Sequence, residues 1–447
     1  MGGTTLIIRP IVGAFLFLGG EKMLDLNLIK NNPEYVQKAL KKKGWDIDFT
    51  ETIQKMNKRL DLIQKVEVVK AEINKLSASV PMVKKEGGDV KTIFEKVKDL
   101  KLQNVKNEEE LNAIEKEIKE FVETLPNLPD EDLLPGEKEN NKAIYTFKEK
   151  PQFDFKPKDH VELAESLGLI DYERAAKISG RGTWIYTGLG AQLEWALINY
   201  FINTHLKDGY TMILPPHLLN EESGYTAGQF PKFKEDVFWL EGQNKFMLPT
   251  AETALVNLHR KEILNEDELP KKYFAYTPCY RCEAGSYRTE ERGMIRGYQF
   301  NKVEMVQYTT EEGSDAAFEE LVNKACDLVK GLGLHFQVSK LAAGDCSHSM
   351  ARTYDVEIWI PSMGIYKEVS SASNARDYQA RRGQIRYRDK LTGKTKFCHT
   401  LNASGLATSR LFPALLEQCQ QKDGSVVLPD VLVPLMGGIK VLYPKKK

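Results

Sequence analysis

Between Tyr273 and Gln307 the sequence gathers Arg281, Glu283, Arg296, Phe300 and Glu304 around one polar loop flanked by two strand-like segments. Alternation in an extended chain puts Arg281 and Glu283 on one face of the first segment. It puts Phe300, Lys302 and Glu304 on one face of the second, with Val303 and Met305 turned the other way. The connection from Glu283 to Arg296 is too polar and too rich in arginine to be core. Guanidinium forks grip phosphate oxygens and a flat ring stacks on a base, so an antiparallel hairpin with this set suits a nucleoside triphosphate. A solvated hairpin with surface ion pairs has the same composition, and the residue types alone leave both readings open.

The rest of the composition narrows the chemistry. At 447 residues the chain is long enough for two or three domains with a large core. Its 63 basic and 63 acidic residues cancel, so no global field draws in nucleic acid and any RNA contact needs a local patch. Six scattered cysteines read as reduced thiols of an intracellular protein. Only Cys279 and Cys282 have metal-like spacing, but alternation places them on opposite faces of a strand and no second pair follows, so a structural role is expected rather than zinc. A Walker-type phosphate loop and a dinucleotide glycine fingerprint are both missing from the sequence.

The elements that must position these residues follow in chain order. Residues 1–22 hold an apolar run, Ile11 to Leu18, too short to span a bilayer. They match neither a signal peptide nor a transit peptide well, so organelle targeting has weak support and an extension of unassigned use is expected. Asn32-Pro33 reads as a cap and first helical residue, with Gly44 as the stop. Ile53, Met56, Leu60, Ile63, Val66, Val69, Ile73 and Leu76 then form one apolar stripe on a helix of about seven turns. After breaks expected at Pro81 and Gly87-Gly88, a second stripe runs through Ile93, Val97, Leu100, Leu111, Ile114, Ile118, Phe121 and Leu125. Two such stripes bury only against each other, which predicts an antiparallel coiled-coil hairpin. Twelve basic residues between Lys55 and Lys101 stud its polar faces, mixed with acids as on any solvated face.

A proline-rich acidic stretch from Leu125 to Glu137 reads as a linker. Beyond it, helices are expected over Leu163–Leu169, Gln192–Leu206, Glu252–Leu264 and Ala316–Leu332. Strands are expected over Phe246–Leu248, Tyr273–Glu283, Tyr298–Tyr308, Thr353–Ile360 and Ile365–Ser371. Strands with intervening helices and no regular βαβ beat predict an α+β fold, an antiparallel sheet with helices packed on it. The expected divisions are an extension over 1–22, a helical arm over 23–125, a linker over 126–140 and an α+β domain over 141–447.

Tyr280-Arg281-Cys282-Glu283, then Arg296, then Gln299-Phe300-Asn301-Lys302-Val303-Glu304-Met305, resemble motif 2 of class II aminoacyl-tRNA synthetases in the form found in seryl-tRNA synthetases. Thr250-Ala251-Glu252, Lys367 to Asn374, Gln379 to Arg382 and Asn402 to Ala407 resemble that family in its order, and the likeness spans Met23 to about Gly438. Gly209 to Pro216 looks like motif 1, a dimer-interface segment, although an edge strand ended by proline has the same pattern. The resemblance implies a class II catalytic domain behind a coiled-coil arm that grips the variable arm of tRNA(Ser), and tRNA(Sec) where present, by backbone contacts. It also implies L-serine as substrate, a homodimer, a cytoplasmic setting and no membrane.

Residue by residue, the resemblance gives Arg281 to the α-phosphate of ATP and the serine carboxylate, Glu283 to the adenine amino group, Phe300 to stacking, and Arg410 to the γ-phosphate. Arg281 and Arg410 are its catalytic pair. Cys282, Arg296, Gly297, Val369 and Ser370 complete the ATP set, and Glu368 and Ser371 resemble the Mg2+ ligands. Thr250 and Glu252 go to the serine ammonium, Ala251 between them to the same serine site, and Glu304 and Ser404 to the hydroxyl pocket. Thr250 and Glu252 are also a natural cap and first-turn acid of the following helix, and both roles can hold together. The attacking carboxylate is already ionised, so no acid–base pair is assigned. Thr408-Ser409 stand where family members often have glycine before Arg410, and Pro413 follows, so that helix is expected to be kinked or to begin late. The loop Tyr287 to Glu291 is placed near the tRNA acceptor end. The competing readings are a synthetase-like ligase acting on a carrier protein and a non-catalytic coiled-coil paralogue.

Overall fold

The computed structural model describes residues 24–282 and 293–445. The extension over 1–22, Glu283 and the loop Tyr287 to Glu291 lie outside the described residues.

Helix α1 (Leu26–Asn31) precedes α2 (Pro33–Lys42), where the Asn32 side chain accepts from the Tyr35 amide and Pro33 takes the first position, as expected. The arm is α3 (Thr50–Lys85) running antiparallel to α4 (Val90–Glu123). Pro81 does not break α3, because it lies on the exposed part of the arm, where the main-chain carbonyl it leaves without a donor can bond water. The helix stops instead at Gly87, whose φ of 73° lets the Gly88 amide donate back to the Val83 carbonyl. Along α3, Leu62 is buried and Leu60 is 49 % exposed, reversing the expected stripe at that turn. Leu62, Val69 and Leu76 are spaced by seven, so a two-helix seam captures them and passes Leu60 by. The gap in the second stripe between Leu100 and Leu111 is occupied by Asn104, buried at heptad spacing from Val97 and Leu111.

Five of the arm's basic residues are tied across the hairpin: Lys55 to Glu117, Lys58 to Glu110, Arg59 to Glu115, Lys70 to Glu108 and Lys96 to Glu72. Exposed pairs of this kind contribute about 0.2–1 kcal/mol each, so they chiefly fix the register of the two helices. At the base of the arm, Val36, Leu40, Met56, Leu62, Ile114, Ile118 and Val122 share one core with Tyr378 of the following region. The segment after α4 is firmly attached: the Asp130 carboxylate accepts from Arg352 and Arg376, and Leu133 is buried.

The main sheet has eight strands, β1 (Lys142–Phe147), β2 (Thr211–Met212), β3 (Lys271–Tyr280), β4 (Gln299–Thr309), β5 (Phe336–Lys340), β6 (Arg352–Ile360), β7 (Ile365–Asn374) and β8 (His399–Ala407). Their order is β1-β5-β6-β7-β8-β4-β3-β2, antiparallel except where edge strand β2 runs parallel to β3. Helices α5 (Leu189–Lys207), α6 (Ser314–Gly331) and α7 (Thr408–Cys419) bury one face, which takes Val303 and Met305 of β4. The other face carries Lys302 and Glu304 and opens to a cavity. β3 ends at Tyr280, so Arg281 stands just past the strand rather than within it. The expected helix from Glu252 to Leu264 is only Ala251–Leu255, because the Asn257 side chain bonds the Thr253 carbonyl at 2.8 Å and takes the place of a main-chain donor. α7 begins at Thr408 and runs through Pro413, neither late nor interrupted.

Candidate active site

A cavity of about 540 Å³ opens on the sheet face where β4, β7 and β8 lie side by side. Thr250, Glu252, Arg281, Arg296, Glu304, Glu368, Ser371 and Ser404 all line it. Residues 368 and 371 would face opposite sides of a regular strand. They face the same side because β7 carries a bulge: Ser370 pairs with Val356 but Glu368 with Glu357, which leaves Val369 as the extra residue.

At the floor, Lys302 and Glu304 form a buried ion pair. The Lys302 ammonium also donates to the Thr250 hydroxyl at 2.8 Å, Thr250 donates to Glu304 at 3.3 Å, and the Asn402 amide donates to the other Glu304 oxygen at 3.1 Å. Thr250 accepts the Glu252 amide at 3.2 Å, so it caps its helix and belongs to the cavity at once. Burial, and then the charge of Glu304, push the Glu252 carboxyl up to about 7, while Gln379 donates to it at 2.8 Å. A carboxylate so placed gains most from a cation arriving with the ligand.

Arg281 bonds the Pro249 carbonyl at 3.3 Å and sits over the Phe300 ring, 5.1 Å from its centroid. The Arg410 guanidinium donates to the Glu368 carbonyl at 3.0 Å and lies 3.5 Å from its carboxylate. Two guanidiniums in one cavity, with a third paired to its Glu368, can neutralise a polyphosphate. Phe300 and Arg410 are not part of the cavity's lining: Phe300 borders a neighbouring pocket with Trp184 and Tyr186 and meets the cavity through Arg281, and Arg410 meets it through Glu368. The other predicted positions act from behind the wall. Gly297 lets the Trp184 ring approach, since a Cβ there would lie 2.3 Å from it. Ser370 donates to the Ser404 carbonyl at 2.6 Å, Val369 and Ala251 are buried, and the Cys282 amide donates to the main-chain carbonyl of Asp236.

Glu368 and Ser371 offer hard oxygen donors, and the half-buried Asp355, paired with Ser371 across the strands, has one buried oxygen without a hydrogen-bond partner among the described residues. This set fits a divalent cation shared with ligand phosphates. Among the described residues no group of three His, Cys, Asp or Glu side chains could hold a metal by itself.

Sequence reasoning assigned no role to Lys302, although its place two residues from Glu304 on one face was the available signal. It also missed Glu194 on α5, whose carboxylate accepts from Asn301 at 2.8 Å and from Thr408, the first residue of α7, at 2.6 Å. That single group links the strand of Phe300 to the helix of Arg410, and burial pushes its carboxyl up to about 7. Ser347, Ser349 and Met350 line the cavity from a loop with no motif at all.

Comparison with known proteins agrees with this geometry. Residues 23–129 match the seryl-tRNA synthetase N-terminal domain, and residues 238–419 match the tRNA synthetase class II core domain (G, H, P, S and T). The chain is 61% identical to serine--tRNA ligase 2 of Clostridium acetobutylicum, over 94% of this chain and 100% of that protein. It is 44% identical to the serine--tRNA ligase of Thermodesulfovibrio yellowstonii, over 93% and 99% of the two chains. The crystal structure of seryl-tRNA synthetase from Pyrococcus horikoshii complexed with ATP superposes with a TM-score of 0.88 at 31% identity, covering 95% of this chain and all of that one. With 61% identity over 94% of this chain and the serine-site residues gathered on one sheet face, the chain belongs to the seryl-tRNA synthetase family.

Proposed function

We propose that this protein is a serine–tRNA ligase that joins serine to ATP as seryl-adenylate and passes the seryl group to the 3′ end of tRNA(Ser), and of tRNA(Sec) where present. The observation that carries this reading is the Glu304 carboxylate, fixed by Lys302, Thr250 and Asn402 at the bottom of an arginine-bearing cavity. An acceptor held this way reads a small hydroxyl, and an alanine in its place would leave it unpaired.

In the first step a serine carboxylate oxygen bonds to the α-phosphorus and pyrophosphate leaves. Both reactants are anionic, so positioning and charge neutralisation do the work. Arg281 takes the α-phosphate and the serine carboxylate, Arg296 and Arg410 the outer phosphates, and Phe300 the adenine with Glu283. Glu252 and Thr250 take the ammonium, with Ser404 beside Glu304 in the hydroxyl pocket. Glu368 and Ser371 would hold Mg2+, which would neutralise phosphate charge.

Residues 50–125 serve as the tRNA-gripping arm of the 23–125 module, with 126–140 as its attachment and 141–447 as the catalytic part. Basic residues with no ion pair across the hairpin among the described residues, such as Lys98 and Lys101, are available for phosphates. Exposed Trp195 on α5 and Leu214 after β2 support a homodimer through this edge. The reading includes a cytoplasmic place of action; no described helix is long and apolar enough to cross a membrane. The carrier-protein ligase and the non-catalytic paralogue have no comparable support, since the matched N-terminal domain belongs to seryl-tRNA synthetases. Charging of a tRNA(Ser) transcript with labelled serine tests the proposal. Ester-linked serine on the transcript is expected, and its absence with active controls would reject it.

A further inference from the structure

Lys43 follows α2 in the N-terminal module, yet its side chain is buried and its ammonium ends beside the wall of the cavity. It donates to the main-chain carbonyls of Met350 at 2.7 Å and Ser347 at 3.2 Å. Asn127, just past α4, supplies the rest: its amide N–H donates to the His348 carbonyl at 2.8 Å, and its side chain to the Ser349 carbonyl at 3.0 Å. Four consecutive carbonyls, Ser347 to Met350, are thus held by two residues of the N-terminal module. Ser347, Ser349 and Met350 of this held stretch line the cavity.

Two features argue that this arrangement does more than join two modules. First, among the described residues Lys43 has no carboxylate at ion-pair distance, and burial lowers its ammonium to about 8. A buried ammonium satisfied only by carbonyls stabilises a fold poorly, and an apolar side chain of the same length would pack there at less cost. Second, the wall leads to the end of the cavity assigned to the serine ammonium. Gly228 lies so close to Ser349 that a Cβ there would come within 2.6 Å of the serine Cβ, and Gln379 ties the neighbouring Ala227 carbonyl to Glu252.

We propose that Lys43 is a positioning residue for serine binding: from the N-terminal module it sets the wall Ser347–Met350, so the module contributes to amino-acid activation as well as to tRNA contact. This rests on the serine-activating reading above. Replacing Lys43 by Met removes the ammonium and its two charge-assisted bonds to the wall while keeping an unbranched side chain one atom shorter. Part of their strength must then come from serine binding.

The test is serine-dependent ATP–pyrophosphate exchange, without tRNA, on full-length wild type, Lys43→Met and Asn127→Ala, with thermal melts of each. The expected result is a KM for serine raised by about tenfold in Lys43→Met and in the same direction in Asn127→Ala, with KM for ATP and kcat at saturating serine little changed. Lys43→Arg, which keeps donors, should recover part of the loss. An unchanged KM for serine in whichever variant remains folded, including a case where only the melting temperature falls, would overturn the inference and leave the function standing. Absence of serine-dependent exchange in the wild type would overturn the underlying reading and this inference with it.

Discussion

Lys302 and Glu304, two residues apart on β4 with side chains on one face, form an ion pair at the floor of the cavity, shielded from water on every side but the ligand's. The pair keeps Glu304 available as an acceptor. Glu304→Ala should therefore lower the preference for serine over alanine by about a hundredfold or more in ATP–pyrophosphate exchange. It should also destabilise the fold by about 3–5 kcal/mol, because it strands a buried ammonium. Adding Lys302→Met should restore much of the stability but none of the selectivity. An unchanged serine-to-alanine ratio would remove Glu304 from its role.

Glu252 gives a dependence on pH. Its carboxyl is raised to about 7, so below that value it is protonated and cannot pair with a ligand ammonium. kcat/KM for serine should rise as pH passes through about 7 and then level off, and Glu252→Gln should stay low throughout. The same shift makes the folded protein lose stability as pH rises from the ordinary carboxylate range to about 7, since the unfolded chain gives up that proton earlier. A flat profile of kcat/KM across neutrality would contradict the assignment.

Arg281 holds little of the fold, with one main-chain bond and a stack on Phe300. Arg281→Ala should lower adenylate formation by about 10²–10³-fold with a melting temperature near that of the wild type. Normal exchange in a folded variant would remove it from the phosphate site.

Much of this site was legible in order but not in shape. Alternation along β4 is local, so Lys302 and Glu304 share the cavity face as read, whereas Arg281 stands past the end of β3 and Phe300 borders the neighbouring pocket. The stripes at steps of three and four announced the arm for the same local reason. The bulge at Val369 that brings Glu368 beside Ser371 depends on the neighbouring strand. Leu60 and Leu62 exchanged roles through a seam set by the partner helix. The wall at Ser347–Met350 carries no local signal, since its shape is set by Lys43 and Asn127, more than two hundred positions away.

The arm should be separable from the first reaction if its base is kept. Met56, Leu62, Ile114, Ile118 and Val122 belong to the core that carries Lys43's helix, so the cut must fall above them. Removing residues 65–109 and joining the ends by a short glycine turn should leave exchange largely intact. Transfer to tRNA should drop by about a hundredfold, and the full-length protein's tRNA affinity should fall steeply with salt. Loss of exchange in a folded truncation would show that the distal arm serves the cavity directly.

The most direct measurement of the central claim is ATP–pyrophosphate exchange by the wild-type protein with each of the twenty amino acids in turn. Exchange with serine far above alanine, glycine, threonine and cysteine is predicted, because Glu304 reads a hydroxyl in a small pocket. Exchange that needs no serine, or that alanine supports equally well, would contradict it.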